Sequence, residues 1–293
     1  MELFVSQLLN GIGNGVVYAS LALALVLIFR ATSVLNFAQG EMALFSTYVT
    51  WRFTDWGWPV VLAIGVSMAI AFVMGAGVER VFIRPVEGAP PLVVVIVTLG
   101  LFLAFNSVTQ LIFGTESKDL PSAFPDTTWA FGDVRLTAET VGLVAVLAAE
   151  CLLLYLLFQR TKLGLAFRAV ASNRESSRLV GINVNTMLTL GWGLAAALGA
   201  LAGAMVVPTT PALTAASMQA VLVYSFAGAA LGGFDSPLGA VVGGLVVGIA
   251  GSLTIEYVDL LNDIELVVPF ALIGAVLLFR PTGLFGRNVV ERV

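Results

Sequence analysis

The amino-acid sequence predicts an all-α protein, a polytopic bundle of transmembrane helices, from three observations. Hydrophobic residues make up 59% of the 293 residues, and the mean hydropathy is +0.99. Charged residues make up only 11%, whereas soluble domains carry about 25%. The charges are clustered, and the apolar stretches between them approach the roughly 20 residues that a helix needs to cross a bilayer. Because lipid cannot satisfy the hydrogen bonds of an open sheet edge, these stretches should be helices.

Nine apolar segments predict about nine crossings, and the sequence is also compatible with eight or ten. Segment 217–232 fits either a short span or a re-entrant hairpin that is buried in protein. The connections 114–137 and 159–185 are too short to fold alone, so residues 1–293 should form a single transmembrane domain. The predicted segments are 6–29, 34–51, 58–78, 91–113, 138–158, 186–207, 217–232, 237–255 and 266–279.

Cationic residues in the connections predict an N-terminus outside the cell and a C-terminus in the cytoplasm, because cytoplasmic loops are enriched in Lys and Arg. With nine crossings, this orientation leaves only Arg52, Lys118 and Arg135 outside, out of 14 cations. The first residues lack the basic region of a cleavable signal peptide, so the first span is expected to remain in the mature protein. The cytoplasmic set is Arg30, Arg80, Arg84, Arg160, Lys162, Arg168, Arg174, Arg178, Arg280, Arg287 and Arg292.

The composition excludes several kinds of chemistry. The absence of histidine excludes a His-based triad and a His-ligated metal site, and a single cysteine, Cys151, excludes an intrachain disulfide. The only two lysines, Lys118 and Lys162, do not belong to a phosphate-binding Gly-x-x-x-x-Gly-Lys loop. We therefore expect no catalytic residue, metal or cofactor in this chain, and we expect another chain to bind any ATP that is used.

Two carboxyl groups fall within apolar segments, Glu41 and Glu150. A charge at the centre of the bilayer costs about 2.5–3.5 kcal/mol, so both should face the bundle interior, be paired, or be neutralised. Glu41 is either a carboxylate that interacts with a helix start or a residue beside a translocation path. For Glu150, structural pairing is favoured over a role in transport. Asn14, Asn106 and Gln110 either hydrogen-bond between helices or line a pore, and the packing role is favoured for each.

Thirty glycines predict close approach between helices. Pairs such as Gly11 with Gly15 and Gly244 with Gly248 follow the small-x-x-x-small spacing. Such spacing allows the backbones of two helices to touch in lipid. These pairs are expected to be ordinary helix contacts, with the tightest region in the C-terminal half.

The connection 159–185 contains the signals of a short helix. Ser172 followed three residues later by Glu175 predicts a capping box at the helix start. Gly181 stands where a residue in the left-handed conformation would end the helix. The sequence therefore predicts a helix at 173–180.

This short helix has two interpretations. Arg174 and Arg178 lie one turn apart, with Leu179 and Val180 beside them. Exposed cations and aliphatic side chains on a short helix favour docking into a groove of a cytoplasmic partner. The alternative is an interfacial helix within a positive loop that only sets the topology.

The loop residues resemble those of a known superfamily. Glu175-Ser-Ser-x-x-x-Gly181 resembles the Glu-Ala-Ala-x-x-x-Gly loop by which permeases of bacterial ABC importers dock onto ATPase subunits. The whole chain resembles the H-type permease subunit of branched-chain amino acid ABC importers. This sequence differs from the family pattern at two places. Gln39 stands where the family often has histidine, and Glu-Ser-Ser stands in place of Glu-Ala-Ala. The matching stretches are Gly15-Val-Val-Tyr18-Ala-Ser-Leu-Ala-Leu, Leu35-Asn36-Phe37-Ala38-Gln39-Gly40-Glu41, Thr98-Leu-Gly100-Leu, Thr161-Lys-Leu-Gly164-Leu-Ala-Phe-Arg168, Gly181-Ile-Asn183-Val, Leu231-Gly-Gly-Phe-Asp-Ser236-Pro237 and Arg280-Pro-Thr-Gly283-Leu-Phe-Gly286.

This resemblance implies an ABC-importer permease of the bacterial inner membrane, without catalytic activity of its own. Its implied partners are a second homologous permease, two cytoplasmic ATPase subunits that bind ATP and Mg, and an extracytoplasmic solute-binding protein; no nucleic acid is expected. The implied coupling residues are Arg168, Ser172, Arg174, Glu175, Ser176, Ser177, Arg178 and Gly181. The candidate residues of the translocation path are Asn36, Phe37, Gln39, Glu41 and Tyr224.

The cargo and the class of transporter have alternatives at the level of sequence. The family's usual cargo is leucine, isoleucine or valine, but close relatives are associated with urea, short amides or other amino acids. An ion-coupled secondary transporter or a channel is the rival from another class, although secondary transporters usually carry several buried ionisable residues. An integral membrane enzyme is disfavoured by the missing histidine.

Overall fold

A computed structural model of the chain describes residues 2–32, 34–131, 134–206, 212–258, 264 and 266–286, and they form a bundle of helices with one small sheet. Helix α3 continues into a π-helical turn, Glu79–Ile83, and a 3-10 turn, Arg84–Val86. The helices are α1 Glu2–Thr32, α2 Gln39–Asp55, α3 Val60–Val78, α4 Pro91–Phe113, α5 Ala138–Arg160, α6 Lys162–Ser172, α7 Arg174–Leu179, α8 Val184–Val206, α9 Ser217–Gly232, α10 Pro237–Tyr257 and α11 Val267–Phe279.

Each of the nine predicted segments coincides with one helix, but the helices differ in their suitability as spans. Among the described residues, six helices are long and apolar enough to cross a membrane. Helices α9 and α11 are apolar but shorter. These six are Leu3–Thr32, Val60–Val86, Pro91–Phe113, Ala138–Arg160, Val184–Val206 and Pro237–Tyr257. The number of crossings and the orientation remain predictions.

Helix α2 is not among the six because it has only 17 residues and a polar composition. It lies inside the bundle. Most of its residues are buried, including Ser46, Thr47 and Thr50. Each of these hydroxyls donates to the backbone carbonyl four residues earlier, at 2.9–3.1 Å. Polar side chains satisfied in this way are compatible with a helix that does not contact lipid. A scale that measures only hydropathy therefore misses this helix.

Helix α1 runs through the centre of the bundle and packs most extensively on α10. Glycines make this contact possible: a Cβ atom on Gly248 would lie 2.3 Å from the Cα atom of Gly15, and one on Gly244 would lie 2.5 Å from the Cα atom of Ala19. Real Cβ atoms do not approach so closely, so these positions require glycine. The predicted close approach at Gly15, Gly244 and Gly248 is confirmed.

Helices α3, α4 and α5 form the periphery, and their outer faces are apolar and exposed. Val73, Leu111 and Leu153 are examples, with 70%, 85% and 66% of their surface accessible. Exposed apolar faces of this size on long helices fit a surface that lipid covers.

The connection between α4 and α5 contains the described sheet, a feature that the sequence prediction did not include. Strand β1, Thr128–Phe131, pairs antiparallel with β2, Val134–Thr137. Nearby, the backbones of Lys118 and Leu213 exchange two hydrogen bonds of 2.9 Å. We call this end of the bundle the hairpin end, and the opposite end the α6–α7 end.

Candidate functional site

A polar cluster around Glu41 lies in the interior of the bundle. Glu41, in the first turn of α2, is fully buried. The side-chain amide of Asn106 on α4 donates to Glu41 Oε2 at 2.9 Å and to the carbonyl of Ala215 at 3.1 Å. Gln110 Nε2 in turn donates to Asn106 Oδ1 at 2.5 Å. This cluster therefore joins α2, α4 and the segment that leads into α9.

Asn36 and Gln39 form a second buried cluster at the start of α2. Gln39 Nε2 donates to the carbonyl of Ala195 on α8 at 2.8 Å, and Gln39 Oε1 accepts from Asn36 Nδ2 at 3.2 Å. Asn36 Oδ1 accepts from the backbone N–H of Ala38 at 3.1 Å. These bonds hold the turn between α1 and α2 against α8. The role of both residues in a translocation path stays a prediction.

The two aromatic candidates lie in stacking contacts between helices. Tyr224 on α9 is buried and stacks on Tyr18 of α1, with ring centroids 4.7 Å apart and planes 6° apart. Phe37 is half-buried and lies against Phe226, also on α9, at 5.2 Å. Sequence reasoning did not select Tyr18 or Phe226 because no local signal links α9 to α1 or to the residues that precede α2.

Glu150 on α5 is buried and is paired as expected. Its Oε2 atom accepts a hydrogen bond of 2.7 Å from the hydroxyl of Ser20 on α1. The bond connects a peripheral helix to the central one. Across the described ranges, no group of three or more Cys, Asp or Glu residues is placed to hold a metal ion.

At the α6–α7 end, the chain folds back sharply between α5 and α6. Thr161 caps α6, because its hydroxyl accepts from the backbone N–H of Gly164 at 3.0 Å. A Cβ atom on Gly164 would lie 2.2 Å from the carbonyl oxygen of Leu157, so only glycine fits this fold-back. Arg168 on α6 is exposed and donates to Gln159 Oε1 at 3.0 Å.

Helix α7 forms as expected, but Ser172 does not cap it. Ser172 is the last residue of α6, and the cap is Asn173, whose Oδ1 accepts from the backbone N–H of Ser176 at 2.8 Å. Asn173 has the extended backbone that a cap requires, and asparagine caps helices as well as serine does. Helix α7 covers Arg174–Leu179, which is shorter at both ends than the predicted 173–180. Gly181 does adopt the left-handed conformation, with φ of 85°.

Arg174 points back toward the bundle and is not an exposed cation. Its Nη1 atom donates to Glu87 Oε1 at 3.0 Å, in the connection between α3 and α4. Its Nη2 atom donates to the backbone carbonyl of Ala31, in the last turn of α1. A single guanidinium thus ties α7 to two parts of the transmembrane bundle.

The rest of α7 divides into an inner and an outer face. Ser177 is buried, and its hydroxyl donates to the carbonyl of Asn173 at 2.7 Å. Glu175, Ser176 and Arg178 are exposed. Leu179 and Val180, at the end of the helix, have 88% and 75% of their surface accessible.

An ion pair lies where α3 ends, with the Glu79 carboxylate buried and the Arg84 side chain partly exposed, and the sequence analysis did not identify it. Arg84 donates to both carboxylate oxygens of Glu79, at 3.2 and 2.8 Å. Thr189 on α8 also donates to Glu79, at 2.7 Å. The π-helical turn brings the two charged residues together across five positions. The sequence analysis considered Arg84 only as a loop cation and did not consider Glu79, so their pairing was missed.

These features define a class: a multi-pass helical membrane protein that presents a short capped helix at one end and ties that helix to its spans. The model of the family described as branched-chain amino acid transport system / permease component matches residues 7–277. The chain therefore belongs to this family of transporter permease components. Its expected multi-pass location in the bacterial inner membrane agrees with the family and with the apolar helices.

Similar proteins cover almost the whole chain. The high-affinity branched-chain amino acid transport system permease protein LivH of Escherichia coli (strain K12) is 31% identical, over 99% of this chain and 98% of that protein. The corresponding protein BraD of Pseudomonas aeruginosa is 28% identical over the same shares. A solved structure, PsaBC from Streptococcus pneumoniae in complex with Fab, gives a TM-score of 0.47 at 13% identity, covering 96% of this chain and 93% of that chain.

Proposed function

We propose that this chain is the membrane-spanning subunit of an ATP-binding-cassette importer for branched-chain amino acids. The names of its full-length relatives support this cargo. The N-terminus would face outward and the C-terminus the cytoplasm, so that the α6–α7 end is cytoplasmic and the hairpin end is outside. Urea, short amides and other amino acids are the alternative cargoes.

The observation that carries the proposal is the double contact of Arg174. Coupling requires that a movement imposed on α7 by ATP-driven partners reaches the spans. Arg174 joins α7 to Glu87 and to the carbonyl of Ala31, so a displacement of α7 moves α1 and the connection between α3 and α4. Helix α1 then transmits this movement, because it packs against α8, α9 and α10.

The exposed face of α7 is the proposed contact with the ATPase subunits. Leu179 and Val180 offer apolar area that the bundle does not cover, and Glu175 and Arg178 flank it with charge. A short helix with this pattern fits a groove of a partner protein. The ATPase subunits would bind ATP and Mg, and this chain would hold no cofactor and catalyse no reaction.

Two further contacts complete the proposed assembly. The hairpin end would receive the solute-binding protein, because it lies opposite α7. A second homologous permease would complete the translocation path. In this proposal Phe37, Glu41 and Tyr224 line or border the path, and Asn36 and Gln39 hold the start of α2 in position beside it.

The test is purification of the chain from its native membrane in mild detergent, followed by identification of its partners and reconstitution into proteoliposomes. We expect ATPase chains and a sister permease to co-purify, and we expect leucine uptake to require ATP and the binding protein. The matched control is a complex whose ATPase subunits cannot hydrolyse ATP. Uptake driven by an ion gradient, or conductance by the isolated chain, would contradict the proposal.

A further inference from the structure

A cleft at the α6–α7 end has no role in the function proposed above. It opens between α1, α5, α6 and α8, with Pro237 at its margin. Apart from Arg30 and Arg168, every residue that lines it is apolar. The cleft is therefore amphipathic, with an apolar interior and cationic side chains as its polar groups.

The chemistry of the lining restricts the ligand. A free amino acid carries an ammonium group, which requires a carboxylate or other acceptor, but both charged residues of the lining are cations. Apolar surface contributed by Leu27, Leu154 and Phe158 suits a hydrocarbon chain. The ligand should thus combine an acyl chain with a negatively charged head group.

The surroundings of the cleft agree with a ligand from the membrane itself. Arg160 ends α5 and Lys162 begins α6, two of the helices that contribute to the cleft, and both side chains are exposed. Helix α6 buries Phe167 on one face, while Leu165 remains 61% accessible on another. Such a helix, apolar with cations around it, fits the level of phospholipid head groups.

We propose that this cleft binds one anionic glycerophospholipid of the surrounding membrane. The acyl chain occupies the apolar space between α1, α5 and α6, and the phosphate lies at the guanidinium of Arg168. Arginine suits this role because its planar group donates two parallel hydrogen bonds to a phosphate. Because only Asn173 separates α6 from α7, the bound lipid also supports the position of the proposed docking helix.

The test measures which lipid the protein retains. The full-length chain, with its co-purifying subunits, is equilibrated in bilayers of phosphatidylglycerol mixed with phosphatidylcholine and analysed by native mass spectrometry. We expect preferential retention of phosphatidylglycerol. Arg168→Gln should weaken this retention about fivefold, as expected for the loss of one cation near anionic lipid. Arg135→Gln, which removes the same charge at the hairpin end, is the matched control and should retain the wild-type preference.

A second variant tests the apolar part of the cleft without changing charge. Ala171→Phe places a ring in the cleft and should reduce retention of phosphatidylglycerol, while the complex stays monodisperse by gel filtration. Equal retention of the two lipids by the wild type would overturn the proposal, as would unchanged retention in both Arg168→Gln and Ala171→Phe. The binding result is independent of the proposed function, which fails separately if no ATPase subunit co-purifies.

Discussion

The contact between Arg174 and Glu87 gives the sharpest prediction about coupling. The nitrogen and oxygen atoms are 3.0 Å apart, and the two side chains are 31% and 22% accessible. The pair is thus intermediate in burial. An exposed ion pair contributes about 0–1 kcal/mol to stability, and a buried charged hydrogen bond contributes about 1.5–3 kcal/mol. We expect Glu87→Gln to cost about 1 kcal/mol.

Replacing the arginine should have a larger effect than replacing its partner. Arg174→Gln also removes the hydrogen bond to the carbonyl of Ala31 at the end of α1, where a cation is favoured by the helix dipole. We expect a total cost of about 2 kcal/mol for this variant. A loss of 1–2 kcal/mol makes the detached state of α7 about 5–30 times more populated.

The assay is the number of leucine molecules transported for each ATP hydrolysed by the complex in proteoliposomes. We expect this ratio to fall severalfold in Arg174→Gln and less in Glu87→Gln, while the ATPase subunits still bind through Leu179 and Val180. A double-mutant cycle should give a coupling energy of about 1 kcal/mol between the two positions.

Arg178→Gln is the control for charge, since Arg178 lies one turn further on and is exposed. It should leave the thermal stability of the complex unchanged, and any effect should be on ATPase binding. Unchanged transport ratios in both Arg174→Gln and Glu87→Gln would refute a mechanical role for the contact.

Three other variants have defined outcomes. Gly248→Leu should prevent α1 and α10 from packing together, so that gel filtration no longer shows a monodisperse complex. The control Gly100→Leu should be tolerated, because a Cβ atom at Gly100 meets nothing within 4 Å. Equal behaviour of the two variants would contradict the close-contact argument. Glu41→Ala should lower the free energy of unfolding by about 2–3 kcal/mol, because it removes a buried acceptor of Asn106. Glu41→Gln should retain most of that free energy. Uptake at wild-type levels in both variants would remove Glu41 from the proposed translocation path. Leu179→Ser should lose the ATPase subunits in a pull-down without a change in melting temperature, and full retention of these subunits would argue against this docking face.

The sequence predicted the helices well because a single physical effect dominates their formation. A peptide group in lipid must hydrogen-bond within its own segment, so any long apolar run becomes a helix. Helix α2 was also found, although Glu41, Ser46 and Thr47 make it polar, because the apolar residues of 34–51 were enough to predict a segment there.

The sequence was less informative where neighbouring residues or distant partners decide the structure. Ser172 and Asn173 are both good caps, and the choice between them depends on how far α6 extends. The partner of Arg174 is 87 residues away, and no local pattern indicates such a contact. For the β1–β2 hairpin, by contrast, the sequence contains a local signal that the prediction did not use: Gly132-Asp133 separates two short runs of strand-forming residues.

The position of α1 has a consequence for how the protein is made. Helix α1 leaves the ribosome well before α10, with which it makes its largest contact. Until α10 is synthesised, the surface around Gly11 and Gly15 has no partner from the C-terminal half. We expect chains truncated before residue 237 to be degraded quickly by membrane proteases, and a pulse-chase comparison with chains truncated after residue 258 would measure the difference. Quality control in the membrane would therefore recognise a chain that lacks α10 by the uncovered surface of α1.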